Sequence, residues 1–166
     1  MKLFHGSDTV VRGPLANLGW AKVDFGQGFY LTKLRRQAES WAKTIASRGR
    51  NRKAFLNVYE FDTAAARRDL GQRYKVFDAY DIPWLDYVVD CRAGGNLQNQ
   101  YDVVEGGVAN DNVIDTVEDY ENGRITAEQA LGQLAYKKVK HQICIRAQKV
   151  IDTFLWHVES VELKGA

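Results

Sequence analysis

Leu34, Ala38, Trp41, Ala42, Ile45 and Ala46 recur three and four residues apart, with Arg35, Arg36, Glu39 and Lys43 between them. That spacing predicts an amphipathic helix with one apolar face. Thr32 offers a hydroxyl that can cap its first turn. Shorter apolar runs bounded by glycine, asparagine and charged residues predict strands over 2–5, 29–31, 54–61, 101–104, 141–146 and 154–163. A second helix is expected from Asp81 through Trp84, Leu85, Val88 and Cys91, with Pro83 in its first turn and Gly94-Gly95 at its end. A third is expected over 112–120, closed by Asn122-Gly123. Thr126 with Gln129 forms a capping box for a fourth, which carries Ala127, Ala130, Leu131 and Leu134. A short turn or helix separates the last two strands.

Strands and helices mixed without a regular βαβ rhythm predict an α+β fold in one domain over residues 1–166. Gly26-Gln27-Gly28 precedes a strand and lacks a third glycine, so a doubly wound dinucleotide fold is not expected. The two glycines instead bracket a close backbone approach.

At 45% hydrophobic and 27% charged residues, the 166-residue chain can bury a sizeable core. A formal charge of +2 is too balanced to announce a nucleic-acid binder from whole-surface electrostatics. Basic character is local, in Arg48, Arg50, Arg52 and Lys53, where a solvated turn is the plain reading and a nucleic-acid contact the sharper one. The opening Met1-Lys2-Leu3-Phe4-His5-Gly6 carries no apolar leader, and no apolar run is long enough for a membrane span. A cytoplasmic protein without a membrane partner is therefore expected. Cys91 and Cys144 lack metal-ligand spacing and read as core residues, with neither a disulfide nor a metal site expected.

His5-Gly6-Ser7 and Phe25-Gly26-Gln27-Gly28-Phe29-Tyr30, with Trp41 eleven residues after the tyrosine, form an ordered set. The set resembles the H-G-S and F-G-x-G-I-Y segments of the poly(ADP-ribose) polymerase branch of ADP-ribosyltransferases. More broadly, the chain resembles a small bacterial family of that superfamily, sharing Asp102-Val103-Val104 and Gly107-Val108-Ala109-Asn110-Asp111.

The resemblance implies a split mixed β-sheet with flanking helices, and NAD as co-substrate without a metal. It implies that His5 binds a ribose hydroxyl, that the Gly6 backbone pairs with the nicotinamide carboxamide, and that Ser7 and Gly28 line the pocket. Tyr30 and Trp41 would stack on the two faces of nicotinamide. Each residue also has a structural alternative: a strand-end histidine, core aromatics, turn glycines.

Two departures bear on the chemistry. The glutamate that the resemblance implies in the late strand aligns with Gln142, which can accept a hydrogen bond but supplies no charge and no base. Losing only the charge costs about 1–2 kcal/mol, a rate factor of roughly 5–30. A serine that helps hold the carboxamide aligns with Ala38. Glu105 and Asp111 are reserve sources of a carboxylate, with a solvated Glu105 and a helix-capping Asp111 as the plain alternatives.

The expected activity is mono-ADP-ribosylation of a protein or nucleic-acid acceptor. The catalytic candidates are His5, Tyr30 and Gln142. The resemblance adds the prospect of a toxin with a neutralising antitoxin or immunity partner. The alternatives are a silent NAD or ADP-ribose binding module and a nucleic-acid-binding domain on the same fold.

Overall fold

Two sheets, each with an apolar face turned toward the other, organise the chain. The computed structural model describes residues 1–50, 52–109, 113–135 and 140–164. Strand β1 (Lys2–Ser7) pairs antiparallel with β3 (Ala54–Phe61), which pairs antiparallel with β7 (Leu155–Leu163). The second sheet has the order β2 (Phe29–Leu31), β6 (His141–Ile145), β5 (Val103–Gly107), β4 (Tyr74–Val76), with only β4 and β5 parallel. Six α-helices among the described residues complete an α+β architecture: α1 (Arg35–Ser47), α2 (Thr63–Leu70), α3 (Ile82–Ala93), α4 (Ile114–Glu121), α5 (Ala127–Leu134) and α6 (Gln148–Phe154). None is long and apolar enough to cross a membrane.

Leu3, Tyr59 and Phe61 of the first sheet meet Phe29, Leu31, Ile143 and Ile145 of the second in one buried cluster. The outer face of the second sheet packs Val104 and Cys144 against Trp84, Leu85 and Val88 of α3 and Leu134 of α5. Helix α1 covers the outer face of the first sheet through Ala38, which lies with Phe4, Leu56 and Val58.

Local chemistry sets the helix ends. The Asp81 carboxylate accepts from the Trp84 amide at 2.9 Å, and Thr126 with Gln129 forms the expected capping box. Thr32 does not cap α1: its hydroxyl accepts from the Leu34 amide at 3.1 Å and donates to the His141 carbonyl at 2.9 Å, tying the chain before the helix to β6. Strand β1 runs to Ser7 rather than His5, because Gly6 and Ser7 pair with Leu56 and Phe55. Strand β5 lies over Val103–Gly107 rather than 101–104, its two glycines opposite Gln142 and His141. Helix α2 and strand β4 have no counterpart in the sequence reading. Helix α4 begins at Ile114, and the expected start at Asn112 lies outside the described residues.

Both cysteines are buried and unpaired, as expected of core residues. Burial pushes each thiol up to about 12, so neither is a nucleophile at neutral pH.

Candidate active site

Phe4 and Thr32 exchange both of their backbone hydrogen bonds, at 2.9 Å each, and among the described residues this bridge joins the two sheets. Antiparallel strands direct the backbone groups of alternate residues to opposite edges. Since Phe4 faces β2, Gly6 faces the same edge, while His5 and Ser7 face β3. Continued register would set Gly6 against Tyr30. The Tyr30 carbonyl is instead taken by the His5 ring, with Nδ1 at 2.7 Å. Beyond the bridge the two strands therefore part, and the Gly6 edge has no ladder partner in β2 among the described residues.

His5 lies on the inter-sheet side, its ring 4.5 Å from that of Phe29. A carbonyl only accepts, so Nδ1 carries the proton and Nε2 is left as an acceptor, without a hydrogen-bond partner among the described residues. Burial pushes the His5 pKa down and keeps the ring neutral, against the smaller opposing effect of the Tyr30 carbonyl.

Gly6 has a reason different from the expected clearance for a ligand ring. A Cβ there would lie 2.0 Å from the Ala38 carbonyl oxygen and 2.8 Å from the Ala42 nitrogen. The missing side chain admits α1, which fixes the strand edge. Ala38, where the resemblance implies a serine, meets Gly6 with its backbone carbonyl and buries its methyl with Phe4, Leu56 and Val58.

The Ser7 hydroxyl donates to the Thr9 carbonyl and accepts from Asn57 Nδ2 at 3.1 Å. Asn57 also accepts from the Val11 amide and from Ser160, so Ser7 belongs to a buried anchor for the loop after β1.

Tyr30 is opposite Cys144, and partners across a ladder share a face. Gln142, two residues along β6, shares it too, so Tyr30 and Gln142 project from the same side. The Tyr30 hydroxyl donates to the Gly26 carbonyl at 2.8 Å and accepts from the Phe25 amide at 3.0 Å. Burial holds this phenol well above its ordinary pKa. It remains a neutral, fixed ring rather than an acid or base. A Cβ on Gly28 would meet Cys144 Sγ at 2.4 Å, so its glycine lets the chain lie against β6.

Trp41 is 44% exposed, on the solvent side of α1, with the Arg48 guanidinium 5.4 Å from its ring centroid. Its place in the apolar repeat does not make it core, because Ala38 and Ala42 alone fill the space above β1. In the basic turn, Arg52 pairs with Asp8 at 3.0 Å and Lys53 with Glu162 at 2.9 Å.

Glu105 is buried, not solvated. It accepts from Lys33, from His141 at 3.0 Å, from Tyr74 at 3.0 Å and from Arg67 at 3.1 Å. Burial pushes its carboxyl up, but the hydrogen bonds from His141 and Lys33, the Lys33 charge and the Tyr74 hydroxyl outweigh it and hold the group well below the usual carboxylate range. Glu105 is opposite Ile143, so it projects into the inter-sheet side, away from Gln142. It does not stand in for a carboxylate beside Gln142. Asp111 lies outside the described residues, and Asp102 forms a two-pronged pair with Arg73 at 2.6 and 2.7 Å.

Two residues that the sequence did not single out hold the site together. Asp24, 7% exposed, accepts from the Ala109 amide at 2.8 Å, from Arg92 at 3.1 Å and from Gln142 Nε2 at 3.1 Å. The Arg146 guanidinium reaches the carbonyls of Phe25 at 3.0 Å and Gln27 at 2.9 Å and clamps the glycine-bearing loop. An acidic residue just before Phe25-Gly26 was the one available signal for Asp24. Its partners are up to 118 positions away.

A family model described as a protein of unknown function (DUF3990) matches residues 1–156. No curated protein and no solved structure matches the chain.

Proposed function

We propose that this chain, which belongs to the DUF3990 family of proteins of unknown function, binds NAD across the parted strands β1 and β2, releases nicotinamide and transfers a single ADP-ribose to a macromolecular acceptor. The observation that carries the reading is the gap itself. His5 and Gly6 flank the point where the Phe4–Thr32 bridge ends, and Tyr30 and Gln142 share one face of the adjoining sheet. These are the positions at which the resemblance to ADP-ribosyltransferases implies contacts with the dinucleotide, on a split α+β sheet of the kind it implies.

The residues suit that ligand chemically. A neutral His5 with a fixed tautomer offers one acceptor to a ribose hydroxyl. The Gly6 amide and carbonyl offer a donor and an acceptor to a carboxamide, which has both. Tyr30 contributes a flat face whose hydroxyl is already satisfied, and the exposed Trp41 a second face on α1. Nicotinamide leaves as a neutral group while positive charge develops on the ribose. The chain's task is then orientation and dipolar stabilisation, with the Gln142 oxygen a neutral dipole at the position where the resemblance implies a charge. Without a base at 142, the reading is transfer of one unit rather than chain elongation.

The direct test is incubation with cell lysate and NAD labelled on its adenine moiety, followed by protease or nuclease. Label on macromolecules that is lost with His5→Ala and Tyr30→Ala supports transfer, and the digestion shows whether the acceptor is protein or nucleic acid. A second reading, a module that binds NAD without cleaving it, is favoured by the uncharged Gln142 and the buried Ala38 methyl. It predicts NAD binding with no label transferred.

A further inference from the structure

Gln142 spends both protons of its amide inside the protein. Nε2 lies 3.1 Å from the Asp24 carboxylate and 3.2 Å from the Gly107 carbonyl, two groups that only accept. This environment fixes which end of the amide is nitrogen, and leaves Oε1 without a hydrogen-bond partner among the described residues. Asp24 is itself held: Arg92 of α3 grips one oxygen, and the Ala109 amide shares the other with Gln142. Trp84 Nε1 at 3.1 Å secures the Gly107 carbonyl, and the Tyr80 hydroxyl at 2.8 Å secures that of Val108. The acceptor pair facing position 142 is thus rigid on both sides.

We propose that Asp24 is the positioning residue of the site: it turns the Gln142 carboxamide so that Oε1 faces the ligand, and makes position 142 one that glutamine fits and glutamate does not. The part that concerns a ligand rests on the NAD reading above. A glutamate at 142 would place a second carboxylate against Asp24 and the Gly107 carbonyl, which the site can hold only against like-charge repulsion or by taking up a proton that glutamine does not need. Glutamine here is therefore the partner Asp24 requires, not a weakened glutamate. The Oε1 dipole accepts a hydrogen bond from a ribose hydroxyl, and Asp24 acts only through it.

Two measurements test this on the full chain. In the first, the unsubstituted protein, Gln142→Glu, Asp24→Asn and the double variant are melted at neutral pH. Gln142→Glu should lower the melting temperature by about 5 °C or more beside Asp24, and by less than half as much in the Asp24→Asn background. In the second, nicotinamide release is followed for Asp24→Ala, Gln142→Ala and their combination. Each single change should lower kcat by about tenfold while KM moves less than about threefold, and the double variant should be no slower than the slower single. Multiplying losses, or an unchanged kcat in Asp24→Ala, would overturn the positioning role. Gln142→Glu melting like the unsubstituted protein would overturn the proposal whatever happens with NAD. The expected melting pattern with no nicotinamide release from any protein would overturn the NAD reading and leave the pairing of Asp24 with Gln142 established.

Discussion

His5 Nδ1 donates to the Tyr30 carbonyl oxygen at 2.7 Å, and this one bond decides where the ladder between the two sheets ends. One bridge earlier, Phe4 and Thr32 pair as ordinary antiparallel partners. A side chain then replaces the strand as the partner of Tyr30, and the edge beside Gly6 is left open. The residue that ends the ladder keeps its second nitrogen without a partner among the described residues.

Replacing His5 by alanine leaves a strand carbonyl short of its donor, which costs about 1–3 kcal/mol. The melting temperature should fall by several degrees while the protein still folds. His5 is held neutral, with its pKa below the ordinary 6.5, so its contribution is complete above pH 6.5 and is lost as the pH falls through the folded value. Thermal melts from pH 8 to pH 5 should show that decline in the unsubstituted protein and a flatter curve for His5→Gln.

Gly6→Ala forces a methyl to within 2.0 Å of the Ala38 oxygen, and neither backbone can yield locally. Overpacking of this kind costs about 1–3 kcal/mol, with α1 displaced from β1. A lower melting temperature together with weakened NAD binding is expected. Unchanged stability would show that α1 does not rest on this strand as described.

Trp41→Ala separates binding from stability. A residue this exposed, outside every buried cluster, should change stability by no more than about 0.5 kcal/mol. If its ring covers nicotinamide, NAD affinity measured by calorimetry falls about tenfold, consistent with the value of one stacking face. Equal affinity would remove Trp41 from the site.

Much of this was legible from the chain, and what was not has a common physical cause. The α1 repeat, the capping box at Thr126 and Gln129 and the strand at Gln142 are local patterns, and each became the element expected. Trp41 misleads because periodicity assigns a face by angle, whereas two alanines sit close enough to β1 to exclude anything larger. Thr32 misleads because a hydroxyl before a helix has more than one use, and here it bonds His141, 109 positions away. Glu105 lies in the same strand as Gly106 and Gly107, yet strand alternation sends it to the other side of the sheet from Gln142. Asp24 and Arg146 hold the site only through distant partners, and a single charged residue in a sequence does not say which distant partners it will meet.

Glu105→Gln should leave the site's chemistry intact while altering acid stability. Its carboxyl is held well below the ordinary 4.5, so its stabilisation is present above that value and is lost as the pH falls toward the folded one. The unsubstituted protein should lose stability below about pH 4.5 more steeply than Glu105→Gln, while both release nicotinamide at similar rates at neutral pH. A large loss of release in a folded Glu105→Gln would place the carboxylate in the site after all.

The central claim, that the parted strands hold NAD and cleave it, is tested most directly by nicotinamide released from NAD by the purified chain, alone and with cell lysate. Release should rise when lysate supplies an acceptor and disappear in folded His5→Ala and Tyr30→Ala. No release under either condition, or release that survives both substitutions, would contradict it.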